Sequence, residues 1–444
     1  MSTKTPNRPA HVRISNSMRS SPIILNAISL YTGVGGLDFG FEAAGFETIA
    51  ALELDSTACS TLRLNRSWTV LEGDIHGFSS EAILSAAGIK PGDADILIAG
   101  PPCQPFSKSG YWARGDALRL DDPRADTLTA FLRVLRDARP SAFLLENVYG
   151  LAYKDKDEGL RYLLQGIEKI NQEIGTCYQV TSEMLNAAQF GVPQVRERFF
   201  LVGSRDGAVF KFPTPTHCAA DNEALLAEGL SPYRTAWDAI GDLPSNPNDP
   251  SLQAGGKWAD LLPSIPEGRN YLWHTNRGGG EPLFGWRTRY WSFMLKLSKR
   301  LPSWTIQAQP GSSIGPFHWS NRKLTAEEMC RIQTFPDRLH FDCGRTDVQK
   351  MIGNAVPSLL AEVLAREIRY QLLGDRTARD TLKLLPPVRT PVPKPEPVLP
   401  LAEKYHHLIG EHPDHPGERR STKKSVRSKA ERQSNLFDSL PALG

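Results

Sequence analysis

Short uninterrupted apolar stretches recur along this chain, each followed by a glycine turn or by a segment of helical period. Residues 23–31 (Ile-Ile-Leu-Asn-Ala-Ile-Ser-Leu-Tyr), 95–98 (Asp-Ile-Leu-Ile) and 140–148 (Pro-Ser-Ala-Phe-Leu-Leu-Glu-Asn-Val) read as buried strands. Between them, 37–44 and 126–138 repeat apolar residues at helical spacing, in the latter at 128, 131, 132 and 135. A helical stretch at 160–174 precedes a further strand at 199–203. Strands alternating with helices predict an α/β fold built on a doubly wound, mostly parallel sheet.

The texture changes from about 211. Proline, glycine and turn residues become dense, and seven of the nine tryptophans lie between Trp237 and Trp319. Helical signals resume at 322–336, where Thr325 and Glu328 have the spacing of a capping box, and again from Gln349 to about Leu372. The expected organisation is a basic arm at 1–21, a first segment of the large domain at 22–210, a smaller irregular domain inserted at 211–302, a returning segment at 303–383, and a tail at 384–444. Seven prolines between Pro386 and Pro400 make that tail read as an extended linker leading to a disordered basic end.

Composition narrows the classes. Lys and Arg number 52 against 49 Asp and Glu, a net charge of +3, so the total does not announce a nucleic-acid binder. Placement says more: Lys4, Arg8, Arg13 and Arg19 stand in an arm without acids, and residues 419–432 hold seven basic residues against Glu431. Six scattered cysteines without a Cys-x-x-Cys pair indicate neither a disulfide scaffold nor a metal site, and suggest a reduced cytoplasmic setting. No apolar run approaches the ~18 residues of a membrane helix.

Candidate chemistry collects where strands end, as open α/β sheets require. The strand at 23–31 runs into Thr32-Gly33-Val34-Gly35-Gly36, a turn that lets backbone approach a ligand. About twenty residues further on, Glu53 closes an apolar run, placed to take the hydroxyls of a ribose. The glycines do not fit the dinucleotide pattern Gly-x-Gly-x-x-Gly, which disfavours hydride transfer. After 95–98 comes Ala99-Gly-Pro-Pro-Cys103-Gln-Pro-Phe-Ser107, whose prolines stiffen a turn and present a thiol outward. A lone cysteine is more often a small buried hydrophobe. Glu146, ending the strand 140–148, should have a raised pKa through desolvation and so serve as a proton donor. In Gln194-Val-Arg196-Glu-Arg198 the two arginines alternate along an extended segment and should project from one side, able to hold a carbonyl oxygen and a phosphate. Residues 274–291 interleave Arg277, Arg287 and Arg289 with Trp286, Tyr290 and Trp291, a mixture suited to nucleic acid or to the core of a small domain.

Taken together, Gly-Pro-Pro-Cys-Gln-Pro-Phe-Ser, Glu-Asn-Val at 146–148, Gln-x-Arg-x-Arg at 194–198 and Gly353-Asn354-Ala-Val-Pro357 resemble the signature blocks of the cytosine-C5 DNA methyltransferases of bacterial restriction–modification systems. The blocks stand in the family's order across most of 23–372. The resemblance implies a sheet of the S-adenosylmethionine-dependent methyltransferase type and that cofactor, held by Tyr31, Gly33, Gly35, Gly36, Glu53, Asp74, Ile75, Pro102 and Asn354. It implies Cys103 as nucleophile, with Glu146, Arg196 and Arg198 as further catalytic groups, and no metal. Gln104, Ser107, Arg287 and Arg289 are assigned to the substrate, 108–125 to a loop closing on DNA, and 211–302 to target recognition. Ser29-Leu30-Tyr31 departs from the family's usual Asp-Leu-Phe. Duplex DNA is the implied substrate of a monomeric enzyme, with a cognate restriction endonuclease as functional partner. Gln433-Ser-Asn-Leu-Phe437 resembles the peptide by which bacterial DNA enzymes hold the replication sliding clamp. A tRNA cytosine methyltransferase and a catalytically inactive DNA-binding module are the alternatives.

Overall fold

The computed structural model describes residues 24–102, 126–147, 158–245, 248–287, 290–309, 311–375 and 381–413. The apolar stretches form a seven-stranded sheet with strand order β3-β2-β1-β4-β5-β8-β6. Its strands are β1 (Leu25–Leu30), β2 (Phe46–Glu53), β3 (Val70–Glu72), β4 (Ile96–Ala99), β5 (Ala142–Asn147), β6 (Gln179–Asn186) and β8 (Glu197–Ser204). The two-residue strand β7 (Gln194–Val195) pairs instead with Ser303–Trp304 of the returning segment. The contacts β1–β2, β2–β3, β1–β4 and β4–β5 are parallel, and β8 is antiparallel to both β5 and β6. β4 and β5 are buried along their whole length, as strands covered on both faces must be.

Two apolar cores cover the two faces of the sheet. One gathers Ile28, Leu97, Phe143 and Leu145 with the helices Asp126–Ala138 and Glu158–Ile174. The other gathers Ala27, Ile98 and Leu144 with the helices Gly36–Ala43 and Ser358–Gln371. The last two helices come so close that a Cβ on Gly40 would sit 2.3 Å from the Ser358 carbonyl oxygen. That contact seats the returning segment on the first, so the large domain is one body made of two stretches of chain. The chain order reverses between β1 and β4, the switch point at which such sheets open a crevice outside their strand ends.

The inserted unit is narrower than the 211–302 span expected. Phe210 and Phe212 pack on the large domain's second core, and Ala236, Ala239 and Ile240 pack with Val34 and Phe39. The unit's own core draws on Leu261, Leu262, Ile265, Tyr271, Leu283, Met294, Phe317 and Tyr405. Tyr405 belongs to the stretch expected to be a linker. Residues 381–413 are instead packed along the body: Leu382, Leu384 and Leu385 on the large domain, Leu401, Ala402, Tyr405 and Leu408 on the inserted unit. The proline-rich composition is real, but apolar residues at both ends of it anchor the chain. The arm 1–21, the loop 108–125 and the tail beyond 413, with its clamp-like peptide, lie outside the described residues. Among the described residues no helix is long and apolar enough to cross a membrane.

Ser29 is buried in a small polar cluster beneath the glycine turn. Thr32 Oγ1 donates to Ser29 Oγ at 2.9 Å, and Thr48 Oγ1 donates to Asp38 Oδ1 at 3.2 Å. Asp38 is fully buried. Desolvation pushes its pKa up to about 7, against the opposing hydrogen bonds of Ser29 and Thr48. The folded state therefore binds this proton more tightly than the unfolded chain. Stability from Asp38 is greatest below about pH 4 and is lost as pH rises to about 7. Roughly 4 kcal/mol is at stake, the free energy of a shift of about three pKa units. Thermal unfolding followed from pH 4 to 7 should show this loss, and Asp38→Asn should flatten it; parallel curves for the two proteins would contradict the assignment.

Candidate active site

β4 and β5 are parallel neighbours with Ala99 opposite Leu145, so the residues that follow them emerge side by side. A Cβ on Gly100 would lie 3.6 Å from Glu146 Oε2 and 3.8 Å from the Tyr31 carbonyl oxygen. Asn147 Nδ2 donates to the Pro101 carbonyl at 3.4 Å. The start of the Gly-Pro-Pro-Cys turn, the end of β5 and the end of β1 thus meet at the switch point. Pro102 is exposed there. Cys103, Gln104 and Ser107 lie outside the described residues.

Glu146 is 8% exposed and is paired with Arg198, whose Nε stands 2.8 Å from Glu146 Oε1. Burial raises the carboxyl pKa, and the positive charges of Arg198 and Arg196 pull against that rise. A carboxyl group so placed can hold a proton and give it to a ring nitrogen, while the guanidinium beside it binds a neighbouring oxygen.

Arg196 does not stand beside Arg198 as the alternation suggested. It is 1% exposed, and its Nη2 donates to the Gly353 carbonyl at 2.7 Å and its Nη1 to the Ile306 carbonyl at 3.4 Å. The reason is local: the chain changes partners between Val195 and Glu197, so the two arginines are not on one continuous strand. Arg196 ties this block to the returning segment just before Asn354.

On the other side of the switch point Glu53 faces the glycine turn. Its Oε2 accepts from Gly33 N at 2.7 Å and its Oε1 from Asp55 N at 2.8 Å. Gly33 has φ +57° and nothing within 4 Å of where a Cβ would be, so its backbone borders open space. Gly35 is also left-handed, and a Cβ on Gly36 would collide with the Val356 carbonyl. Tyr31 Oη donates to the Thr127 carbonyl at 2.6 Å, which leaves the ring as the part that can border a ligand. Asp74 is exposed and caps the turn Ile75–Gly77, accepting from His76 N at 3.0 Å. Ile75 follows at the start of that turn, with its side chain buried in the first core. Asn354 is exposed at the end of the helix Arg345–Asn354.

Two neighbours escaped the sequence reading. Leu54 is 68% exposed between Glu53 and Asp55, an apolar surface of the kind a planar base would cover. Lys350 Nζ bonds Asp55 Oδ2 at 2.7 Å, closing the returning helix onto the acid strand end. The exposed leucine at a strand end was visible in the sequence; the lysine pairing, 295 positions apart, carried no local signal. A carboxylate for paired hydroxyls, an open glycine backbone, an apolar face and an exposed amide suit the ribose, base and amino-acid end of a nucleoside with a charged tail. On the inserted unit Arg287 is exposed and Arg277 lies 4.4 Å over the Trp286 ring; Arg289 is outside the described residues.

A sheet of this order, with a glycine turn at its switch point and functional groups on adjoining strand ends, is the Rossmann-like framework of a methyltransferase. A profile of C-5 cytosine-specific DNA methylases matches residues 25–370. Streptomyces achromogenes Type II methyltransferase M.SacI is 39% identical over 78% of this chain and 93% of its own length. Neisseria gonorrhoeae Type II methyltransferase M.NgoFVII is 35% identical over 80% and 88%. Among solved structures, a DNA modification methyltransferase encoded within an E. coli prophage superposes with TM-score 0.55 at 24% identity, covering 79% of this chain and 100% of that one. Spodoptera frugiperda DNMT2 superposes with TM-score 0.54 at 15% identity over 78% and 99%. The two superpositions establish the fold. The chain belongs to the C-5 cytosine-specific DNA methylase family.

Replacing Arg196 by lysine should remove the forked grip on Gly353 and Ile306 and lower stability by about 2 kcal/mol. Cofactor binding should weaken with it, since Gly353 precedes Asn354. Urea unfolding and calorimetric titration would check both effects; an unaltered affinity would show that this grip does not reach the pocket.

Proposed function

We propose that this protein transfers a methyl group from S-adenosylmethionine to C5 of a cytosine within a specific duplex DNA sequence, through a transient bond between Cys103 and C6 of a flipped-out base. The observation that supports this best is the buried Glu146–Arg198 pair set against the opening of the Gly-Pro-Pro-Cys turn. Cytosine C5 is a poor nucleophile. Addition of the Cys103 thiolate to C6 breaks the C5–C6 π bond and pushes its electron pair onto the C5–C4–N3 system, giving an enamine whose C5 attacks an electrophile. Glu146 hydrogen-bonds or protonates N3 as charge develops there. Arg198 holds the O2 carbonyl and keeps the glutamate in place. The bound cofactor supplies a sulfonium-activated methyl group. A base then removes the C5 proton, the C5–C6 double bond re-forms and the thiolate leaves.

Glu53 would hold the ribose hydroxyls, Asp74 the adenine amino group and Asn354 the methionine end, with Leu54 against the adenine. Inside a duplex the ring is out of reach, so the target nucleotide must leave the stack at a cost of a few kcal/mol, offset by contacts from the inserted unit. A cognate restriction endonuclease is the functional partner this reading implies, in keeping with type II relatives. The recognition sequence should emerge from bisulfite sequencing of DNA from a host expressing the chain. Labelled cofactor offered with duplex DNA or tRNA separates the two nucleic-acid substrates.

Cys103→Ser should abolish turnover while cofactor binding persists, and an oligonucleotide carrying 5-fluorocytosine should trap the parent enzyme through residue 103. An adduct on any other side chain would overturn the scheme. Glu146→Gln, which keeps the shape but cannot transfer the proton, should lower the single-turnover methylation rate by about 10²–10⁴. An undiminished rate would remove Glu146 from the chemistry.

A further inference from the structure

The chain beyond the large domain's last helix takes a course that catalysis does not explain. It starts on the large domain, where Glu362, fully buried, accepts from Lys383 N at 2.8 Å and Leu384 N at 2.9 Å. Leu385 lies over Gly191 so closely that a Cβ there would meet it at 2.5 Å. Arg234 Nε donates to the Pro386 carbonyl at 3.0 Å. Arg389 then grips the short helix Ala236–Ile240: its backbone N donates to Asp238 Oδ1 at 2.8 Å, a guanidinium nitrogen donates to the Asp238 carbonyl, and Nη2 meets Asp242 Oδ1 at 2.9 Å.

Past Pro393 the chain is exposed until Leu401, and its later backbone anchors lie on the inserted unit. Glu396 N donates to Glu267 Oε1 at 2.8 Å, and the Glu396 side chain receives the buried Lys299 Nζ at 2.9 Å. Leu399 N donates to the Pro263 carbonyl at 3.0 Å. Tyr405 is 3% exposed, stacks on Trp258 at 5.5 Å and donates to the Lys257 carbonyl at 2.8 Å. Gly410 N donates to the Pro282 carbonyl at 3.2 Å, and a Cβ on Gly285 would collide with Pro413.

We propose that residues 381–413 form a strap that fixes the orientation of the inserted unit to the catalytic sheet, and so positions DNA against the switch-point site. The chain crosses into this unit after Ser245 and out near Leu297, and the returning segment dips back into it at Ile314 and Phe317, which pair with Phe293 and Lys296. Residues 381–413 add a further connection, anchored on the large domain at one end and at Pro282 and Gly285 at the other, which restricts the unit's movement. Proline suits the bridge because its fixed φ leaves little backbone freedom to lose on ordering and keeps the span stiff. The positional role for DNA rests on the function proposed above; the mechanical role does not.

The test cuts the strap and leaves both ends packed. A protease site replacing Pro391-Val392-Pro393 in the full chain separates the Arg389 anchor from the Glu396 anchor without deleting either. Spin labels on unnatural amino acids at the exposed positions Gln165 and Glu281 report the relative placement of the two bodies without DNA. Cleavage should broaden the measured distance distribution. It should also raise KM for DNA about tenfold, as expected when only a fraction of molecules is competent to bind. The rate at saturating DNA and the cofactor Kd should stay within about twofold of the uncut chain. Arg389→Ala should shift the distance distribution and KM in the same direction by less. An unchanged distribution after cleavage overturns the strap. A broadened distribution in a chain whose uncut form methylates no DNA upholds the strap and removes the function assigned above. Equal loss of cofactor binding and rate on cleavage would make the segment part of the catalytic fold and contradict the proposal.

Discussion

The site depends on one strand running the wrong way. In a parallel sheet every carboxyl end lies along one edge, so only the last residues of strands can meet there. β8 is antiparallel to β5, and its first residues reach that edge. Glu146 is opposite Phe200, and Arg198, two positions earlier in β8, is its diagonal neighbour on the same face. The ion pair at 2.8 Å follows from that register. Had β8 been parallel, it would have presented Gly203 and Ser204 here and left a buried carboxylate without a cation.

The pairing sets the chemistry of the carboxyl group by opposition. Burial favours the neutral form of Glu146, and the arginine beside it favours the ionised form. Both act at once, burial being the stronger. Arg196 adds its charge from behind while its guanidinium is committed to the Gly353 and Ile306 carbonyls. Gly353 lies in the helix whose Lys350 meets Asp55, and Asp55 gives its backbone N–H to Glu53. Hydrogen bonds joined by short stretches of backbone therefore link the acid side of the crevice to the glycine-turn side, crossing between the two chain segments of the large domain twice.

Features carried by short-range patterns were legible in the sequence. The buried strands, the glycine turn, Glu53 and the raised pKa of Glu146 all follow from apolar runs ending in a polar residue, and the helix cap at Thr325 and Glu328 is in place. Where pairing between distant segments decided the outcome, sequence reasoning failed. Period-two alternation put Arg196 with Arg198, but a change of strand partner at that residue turned Arg196 inward. Proline density spoke for a linker at 386–400, and the flanking leucines and Tyr405 that hold it down could not be read without knowing what they would meet.

The inserted unit shows why such a distant residue is needed. Among its described residues regular structure amounts to short 3-10 turns such as Ala259–Ser264 and Tyr271–His274 and isolated bridges such as Thr275 with Phe284, so few backbone ladders hold it together. Its cohesion comes from rings: Trp258, Tyr271, Phe284 and Phe293 meet edge to face with centroids 4.9–6.2 Å apart. A core this small buries too little surface to be rigid alone. Tyr405 covers the open face of Trp258 and brings its own chain with it, so the group that completes the core is also the end of the strap. Stability of the unit and its orientation to the sheet are thereby supplied by the same residues.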